Sequence, residues 1–99
     1  MAITKKDLQN HVDHLNNKYC KNTKNKLVIH QAYGGYQVML TGKTYNRGNK
    51  TFYRKGSLRS SGVEIGNTWH DSAKNTLVGL YKAESKGWLQ SQIKWRDKN

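Results

Sequence analysis

Six cations and three aromatic rings alternate between Lys43 and Arg59: Lys43, Arg47, Lys50, Arg54, Lys55 and Arg59 with Tyr45, Phe52 and Tyr53. Side chains of these two kinds do complementary chemistry on a nucleic acid. Cationic groups neutralise phosphates, while aromatic faces stack on unpaired bases or pack on sugars. The six cations are therefore the candidate phosphate contacts, and Tyr45 and Tyr53 the candidate stacking or sugar contacts. Successive side chains of a strand point to opposite faces, so one of Phe52 and Tyr53 is expected in the core and the other outside it. The plainer reading is a solvated hairpin with two packed aromatics.

The wider charge distribution favours a polyanionic partner. The chain has 18 basic and 6 acidic residues and a formal net charge of +12. No acidic residue lies between His14 and Val63, where Lys18, Lys21, Lys24 and Lys26 precede the cations already named. Ordinary surfaces mix both signs. A one-signed field attracts polyanions, speeds their encounter and weakens with salt. The alternative is charge that serves solubility alone.

Other constellations are weaker. His11 and His14 lie one turn apart with Asp7 before them, but no cysteine or glutamate cluster completes a metal-ligand set. Trp69-His70-Asp71 and Glu84-Ser85-Lys86 resemble fragments of nucleases. Such an enzyme needs carboxylates converging on a cation. Only Asp7, Asp13, Glu64, Asp71, Glu84 and Asp97 are available, Glu84 and Lys86 do not share a helix face, and Asp71 suits a helix cap. Cys20 with His30 has no evident third partner for nucleophilic catalysis. Gly34-Gly35 lacks the spacing and the following Lys-Ser/Thr of a phosphate-binding loop. The expectation is a protein that is not an enzyme, with no catalytic residues, no metal and no cofactor.

Composition sets the scale. A chain of 99 residues is read as one domain with a modest core. Counting glycine and leaving out tyrosine, 37 of the 99 residues are apolar, against about 45–50% in typical domains. Three Trp, six Tyr and one Phe partly offset this, since each aromatic buries a large area. The one cysteine, Cys20, forms no intrachain disulfide, so a reducing compartment fits. No leader-like segment opens the chain, and no run of about 18 apolar residues would span a membrane. A cytoplasmic location, in a bacterial host cell, is expected. Fourteen Lys against four Arg, with ten Asn, fit an A/T-rich coding sequence.

The elements that would position these residues follow from periodicity. Leu8, Val12, Leu15 and Tyr19 make one face of a helix over 4–19. Thr4 is its N-cap, Asp7 sits in the capping-box position, and Ile3 and Leu8 form a hydrophobic staple. A hairpin of 27–33 and 36–42 turns at Gly34-Gly35, where the flanking Tyr33 and Tyr36 could pair across the strands. Arg47-Gly48-Asn49 is a turn signal, 51–54 reads as a third strand, and 57–66 as a loop. A second helix is expected over 68–86, with Thr68 as N-cap, Trp69, Ala73, Thr76, Leu77 and Leu80 inside, and Gly87 ending it in a left-handed cap. Gly79 within it suggests close packing. In the tail 88–99, Leu89 and Ile93 could share a side of a short helix. The fold class is thus α+β, in the order α-β-β-β-α: an antiparallel sheet over 27–54, two helices on one face, the other face open to water.

Thr4-Lys5-Lys6, Tyr33-Gly34-Gly35-Tyr36-Gln37-Val38 and, loosely, residues 68–81 resemble small proteins of phages and prophages of Gram-positive bacteria. Those proteins begin with a capped helix, followed by a Tyr-Gly-Gly-Tyr strand turn and a short closing helix. The basic hairpin and the Trp-rich tail depart from that pattern. The resemblance implies no catalytic residues; it implies a phage accessory role in host replication, transcription or defence. The element order is also similar to double-stranded RNA-binding domains, by topology alone, since their basic loop and helix start are not matched. Together these readings lead to a nucleic-acid-binding accessory protein with little sequence preference, DNA and RNA being undecided. The alternative is an inhibitor that docks on a host protein, such as a CRISPR effector, a restriction enzyme or a polymerase. Tyr33, Tyr36, Trp88 and Trp95 would then be its interface residues. A nuclease is a third reading.

Overall fold

The computed structural model describes residues 2–23, 25–42, 44–47, 50–53 and 63–98, with the backbone alone at 44–47, 50–53 and 98. The first helix, α1, runs Lys5–Leu15, and a π-helical turn, Asn16–Cys20, continues it. Its start is the expected capping box. The Asp7 amide donates to Thr4 Oγ1 and the Thr4 amide donates to Asp7 Oδ2, at 3.4 and 2.8 Å. Leu8, Val12 and Leu15 are fully buried. The regular helix ends earlier than periodicity suggests because Asn16 is drawn to the sheet. Its side-chain amide donates to Leu27 O at 2.9 Å and its Oδ1 accepts from Leu27 N at 2.7 Å. An edge residue of the sheet thereby gains the partners an exposed edge lacks.

Strands β1 (Asn25–Ala32) and β2 (Gly35–Gly42) form an antiparallel hairpin, with Leu27 opposite Leu40 and Ile29 opposite Val38. Its turn has φ of +53° at Tyr33 and +72° at Gly34. Positive φ at both central residues is the two-residue turn whose twist matches that of the flanking strands. The expected Tyr33–Tyr36 pair does not form: Tyr33 occupies the turn itself, and Tyr36 stands opposite Gln31. Two central residues close this loop, so the ladder begins at Ala32 and Gly35.

β3 (Thr44–Arg47) and β4 (Lys50–Tyr53) make a separate antiparallel ladder, and the third strand of the main sheet is β5 (Val63–Glu64), paired with β2. The expectation that the strand at 51–54 completes the main sheet, and that 57–66 is loop throughout, is corrected. Alternation marks a strand but does not name its partner. The three-stranded antiparallel sheet with helices bears out the α+β class.

From β5 the chain follows the edge of β2. Ile65 N and Gly66 N both donate to Val38 O, at 2.9 and 3.3 Å, and Tyr36 and Asp71 exchange backbone hydrogen bonds at 2.7 and 3.0 Å. Between these attachments the Asn67 and Thr68 carbonyls accept from Gln37 Nε2, at 2.9 and 2.8 Å. Helix α2 starts only at Ala73 and ends at Ser85, with Ser72 rather than Thr68 as N-cap. Trp69 consequently lies outside the helix and is 81% exposed, contrary to its expected place on the inner face. The 65–71 edge segment uses the residues whose spacing suggested an extra helical turn.

Helix α3 (Trp88–Lys98) follows Gly87, whose φ of +76° is the left-handed cap expected there. Leu89 and Ile93 are both buried, so the tail is a helix that closes the core. That core joins Leu8, Val12 and Leu15 of α1, Leu27, Val38 and Leu40 of the sheet, Leu80 and Ala83 of α2, and this pair from α3. The other sheet face is covered along β2 but not along β1, where Lys26 is exposed and Val28 and His30 are half-buried. Gln37, Met39 and Thr41, which point away from the helices, are all buried, and part of the cover is the 67–70 segment over Gln37.

Candidate nucleic-acid interface

Of the eight residues nominated by type, Lys43, Arg54, Lys55 and Arg59 lie outside the described residues. Tyr45, Arg47, Lys50 and Tyr53 lie on the β3–β4 ladder, whose register pairs Thr44 with Tyr53, Tyr45 with Phe52, Asn46 with Thr51 and Arg47 with Lys50. Positions 45, 47, 50 and 52 therefore share one face, and position 53 falls on the other. Tyr45 and Tyr53 are placed to serve opposite faces. The register sets the Arg47 and Lys50 positions directly opposite each other at the turn end of the ladder.

Among the described residues, four of the six carboxylates are engaged within the fold itself. Asp7 closes the α1 capping box, and Asp13 accepts from Gln9 Nε2 at 2.9 Å. Asp71 Oδ1 accepts from Ser72 N and Asn75 Nδ2, at 2.7 and 3.0 Å, on the way into α2. Glu84 Oε2 accepts from the Tyr19 hydroxyl at 2.6 Å and from Lys18 Nζ at 3.1 Å. The carboxylate thus ties the π-helical turn to α2, and Gln90 Nε2 joins α3 to them by donating to Tyr19 Oη and the Glu84 backbone carbonyl, at 3.3 and 3.1 Å. The helix cap itself is Ser72, whose hydroxyl accepts from Asn75 N, with Asp71 one residue before it.

The Tyr19 hydroxyl first, and then the Lys18 ammonium, hold the Glu84 carboxyl below its ordinary value, against the opposing effect of burial. A carboxyl lowered in the folded state contributes stability that is fully present above its unfolded value. It is lost as pH falls through the folded value. Thermal unfolding from pH 6 down to about pH 3 should therefore show a loss beginning near the ordinary glutamate value of about 4.3. In Glu84→Gln that part of the loss should vanish, leaving a shallower pH profile.

The candidate interface aromatics are placed differently from one another. Tyr33 at the hairpin turn is 92% exposed and Trp95 61%, whereas Tyr36 is half-buried against the core. Trp88 is exposed at the start of α3. Two histidine pairs are brought together, one with no signal in the sequence and one, His11 with His14, legible from its spacing. His30 Nδ1 and His70 Nε2 lie 2.7 Å apart, with the Tyr33 ring edge-on to His70 at 5.5 Å between centroids. The histidines are forty residues apart in the chain, so no spacing rule links them. His11 stacks with His14 and meets the Tyr81 ring at 4.5 Å between centroids. Burial holds the His11 imidazole below its ordinary value. Among the described residues no three His, Cys, Asp or Glu side chains converge as a metal site would need, and no helix is long and apolar enough to cross a membrane. Comparison with protein-family models, with curated proteins and with solved structures gave no match to this chain.

Proposed function

We propose that this is a non-enzymatic, basic domain that binds nucleic acid with little sequence preference, in an accessory role of the phage type. The observation that carries the reading is the stretch between His14 and Val63, which holds ten Lys and Arg and no acidic residue, on a fold in which four of the six carboxylates are used within the fold itself. Arg47 and Lys50, opposite each other on the β3–β4 ladder, are the centre of the proposed phosphate contacts. Lys43, Arg54, Lys55 and Arg59 extend them along the chain, and Tyr45 and Tyr53 add ring contacts. Phosphate contacts position a protein without reading bases, which is why little sequence preference is expected.

Binding of short single- and double-stranded DNA and RNA, measured at about 50 and 200 mM salt, tests this directly. Affinity should fall steeply as salt rises. Arg47→Ala with Lys50→Ala should lower the slope of log affinity against log salt by about 1.8 on duplex DNA, the share of two phosphates. Negligible binding at the lower salt would overturn the reading. The exposed Tyr33 and Trp95 rings support a second one, docking on a host protein. In that case a purified partner would be bound without nucleic acid, and Trp95→Ala would abolish the contact.

A further inference from the structure

Away from the basic hairpin, α2, the turn after it and the first residue of α3 enclose a groove of about 300 Å³ beside the 65–66 edge segment. Gly66, Gly79 and Ala83 line it with almost no side-chain bulk, and Lys82, Lys86 and Trp88 also border it. Lys82 and Lys86 are four residues apart, the spacing that puts two side chains on one helical face. Both are exposed, and the nearest carboxylate in sequence, Glu84, is held by Tyr19 and Lys18. The α2 carboxyl end and the α3 amino end meet at this turn, so their opposed dipoles offset each other and the two ammonium groups set the local charge. Trp88 is 40% exposed, leaving part of the indole open to a ligand.

Two cations and an open indole around a small-residue floor make a site for an anionic ligand that carries a flat ring. Its volume is at the lower end of the range of about 300–1,000 Å³ for small-molecule sites, enough for a single nucleotide and too little for a folded strand. We infer that this groove takes one unpaired nucleotide of a single-stranded nucleic acid, with Lys82 and Lys86 on its phosphate and Trp88 stacked on its base. The inference rests on the nucleic-acid reading above and adds to it a preference for single strands. In a duplex the base faces are stacked on one another and are closed to Trp88. Gly79 has a part in this site as well, since it lines the groove and any side chain there would run into the Gly66 backbone and the Asn67 side chain.

The test is a nuclear magnetic resonance titration of the whole protein at about 50 mM salt with an eight-nucleotide single strand and, separately, a duplex of equal length. The indole N–H signals of Trp69, Trp88 and Trp95 are followed individually. The single strand should shift the Trp88 signal, and the duplex should leave it in place. Trp88→Ala should weaken single-strand binding about tenfold or more, with Trp88→Phe retaining most of it. Lys82→Ala with Lys86→Ala should lower the single-strand salt slope by about 1.4. All the altered side chains are exposed, and circular dichroism of each variant establishes that it is folded. Binding of the single strand with an unmoved Trp88 signal and unaltered affinity in these variants would overturn the groove while leaving the hairpin reading intact. No binding of either strand would overturn both. Binding of a purified protein partner that shifts Trp88 where the single strand does not would assign the groove to a protein contact instead.

Discussion

Gly79→Ala is expected to destabilise the protein by about 1–2 kcal/mol and to lower its melting temperature by roughly 4–16 °C. Two effects oppose each other at this position. Alanine is the better helix former by about 1 kcal/mol in a helix interior, and on an open helical surface the substitution would stabilise. Here the added methyl would lie 2.5 Å from Gly66 O, 2.8 Å from Asn67 Oδ1 and 2.9 Å from Gly66 C. Two of these three atoms are backbone, in a segment fixed to Val38 O by two hydrogen bonds. No side-chain rotation relieves the contact, so α2 or the 65–67 segment must move. Packing beyond the available space typically costs about 1–3 kcal/mol and occasionally more, and the steric term wins. Thermal unfolding followed by circular dichroism decides the sign. An unchanged or raised melting temperature would mean that the two elements separate at little cost.

A comparable loss, about 2 kcal/mol, is expected for Gln37→Leu. Gln37 is 1% exposed, and its Nε2 donates to the Asn67 and Thr68 carbonyls at 2.9 and 2.8 Å. Leucine fills a similar space but donates nothing, so both carbonyls lose their partner. For the half-buried Asn67 carbonyl the lost partner costs about 1–3 kcal/mol, while Thr68 is exposed and its carbonyl can exchange the donor for water. Gln37 Oε1 is itself buried without a partner among the described residues. Removing it recovers part of that loss, which is why the expected figure is lower than two full penalties. Denaturant unfolding gives the magnitude, and amide hydrogen exchange gives the location. Protection should fall first along 65–71, where this amide joins the edge segment to the sheet. Uniform loss across α1 and β1 would show instead that Gln37 supports the core as a whole.

Much of the architecture was readable from local pattern, because local pattern has local causes. Thr4 and Asp7 are three residues apart, and both halves of their capping box are closed within one turn. Leu8, Val12 and Leu15 recur at the helical period and are buried together. The hairpin and its glycine were legible, although the turn falls at Tyr33-Gly34, one residue before the expected Gly34-Gly35, and Gly87 meets the demand of a helix end for positive φ. The cationic run from Lys18 to Arg59 is a property of composition, and with it came the nucleic-acid reading itself.

Other features depended on which distant segments return to one another. Leu40 alternates as any strand residue would, yet only the path of the chain makes Val63 its neighbour and leaves Lys50–Tyr53 paired with Thr44–Arg47. Trp69 has the spacing of an inward helical residue, but the Tyr36–Asp71 backbone exchange and the Gln37 amide hold its segment along the sheet and turn the indole outward. Gly79 is visible in the sequence as a weak point of a helix; the carbonyl of Gly66 that requires it is thirteen residues away. The same holds for the groove between Lys82, Lys86 and Trp88. The spacing of the two lysines could be read directly, but the groove beside them exists only because the 65–66 segment lies against Gly79 and Ala83 of α2. What the sequence determined by itself was therefore the set of short-range commitments made by hydrogen bonds and periodicities within a few residues. Tertiary structure decided the rest, because contacts between remote segments are selected by how the whole core closes and leave no fixed spacing in the chain.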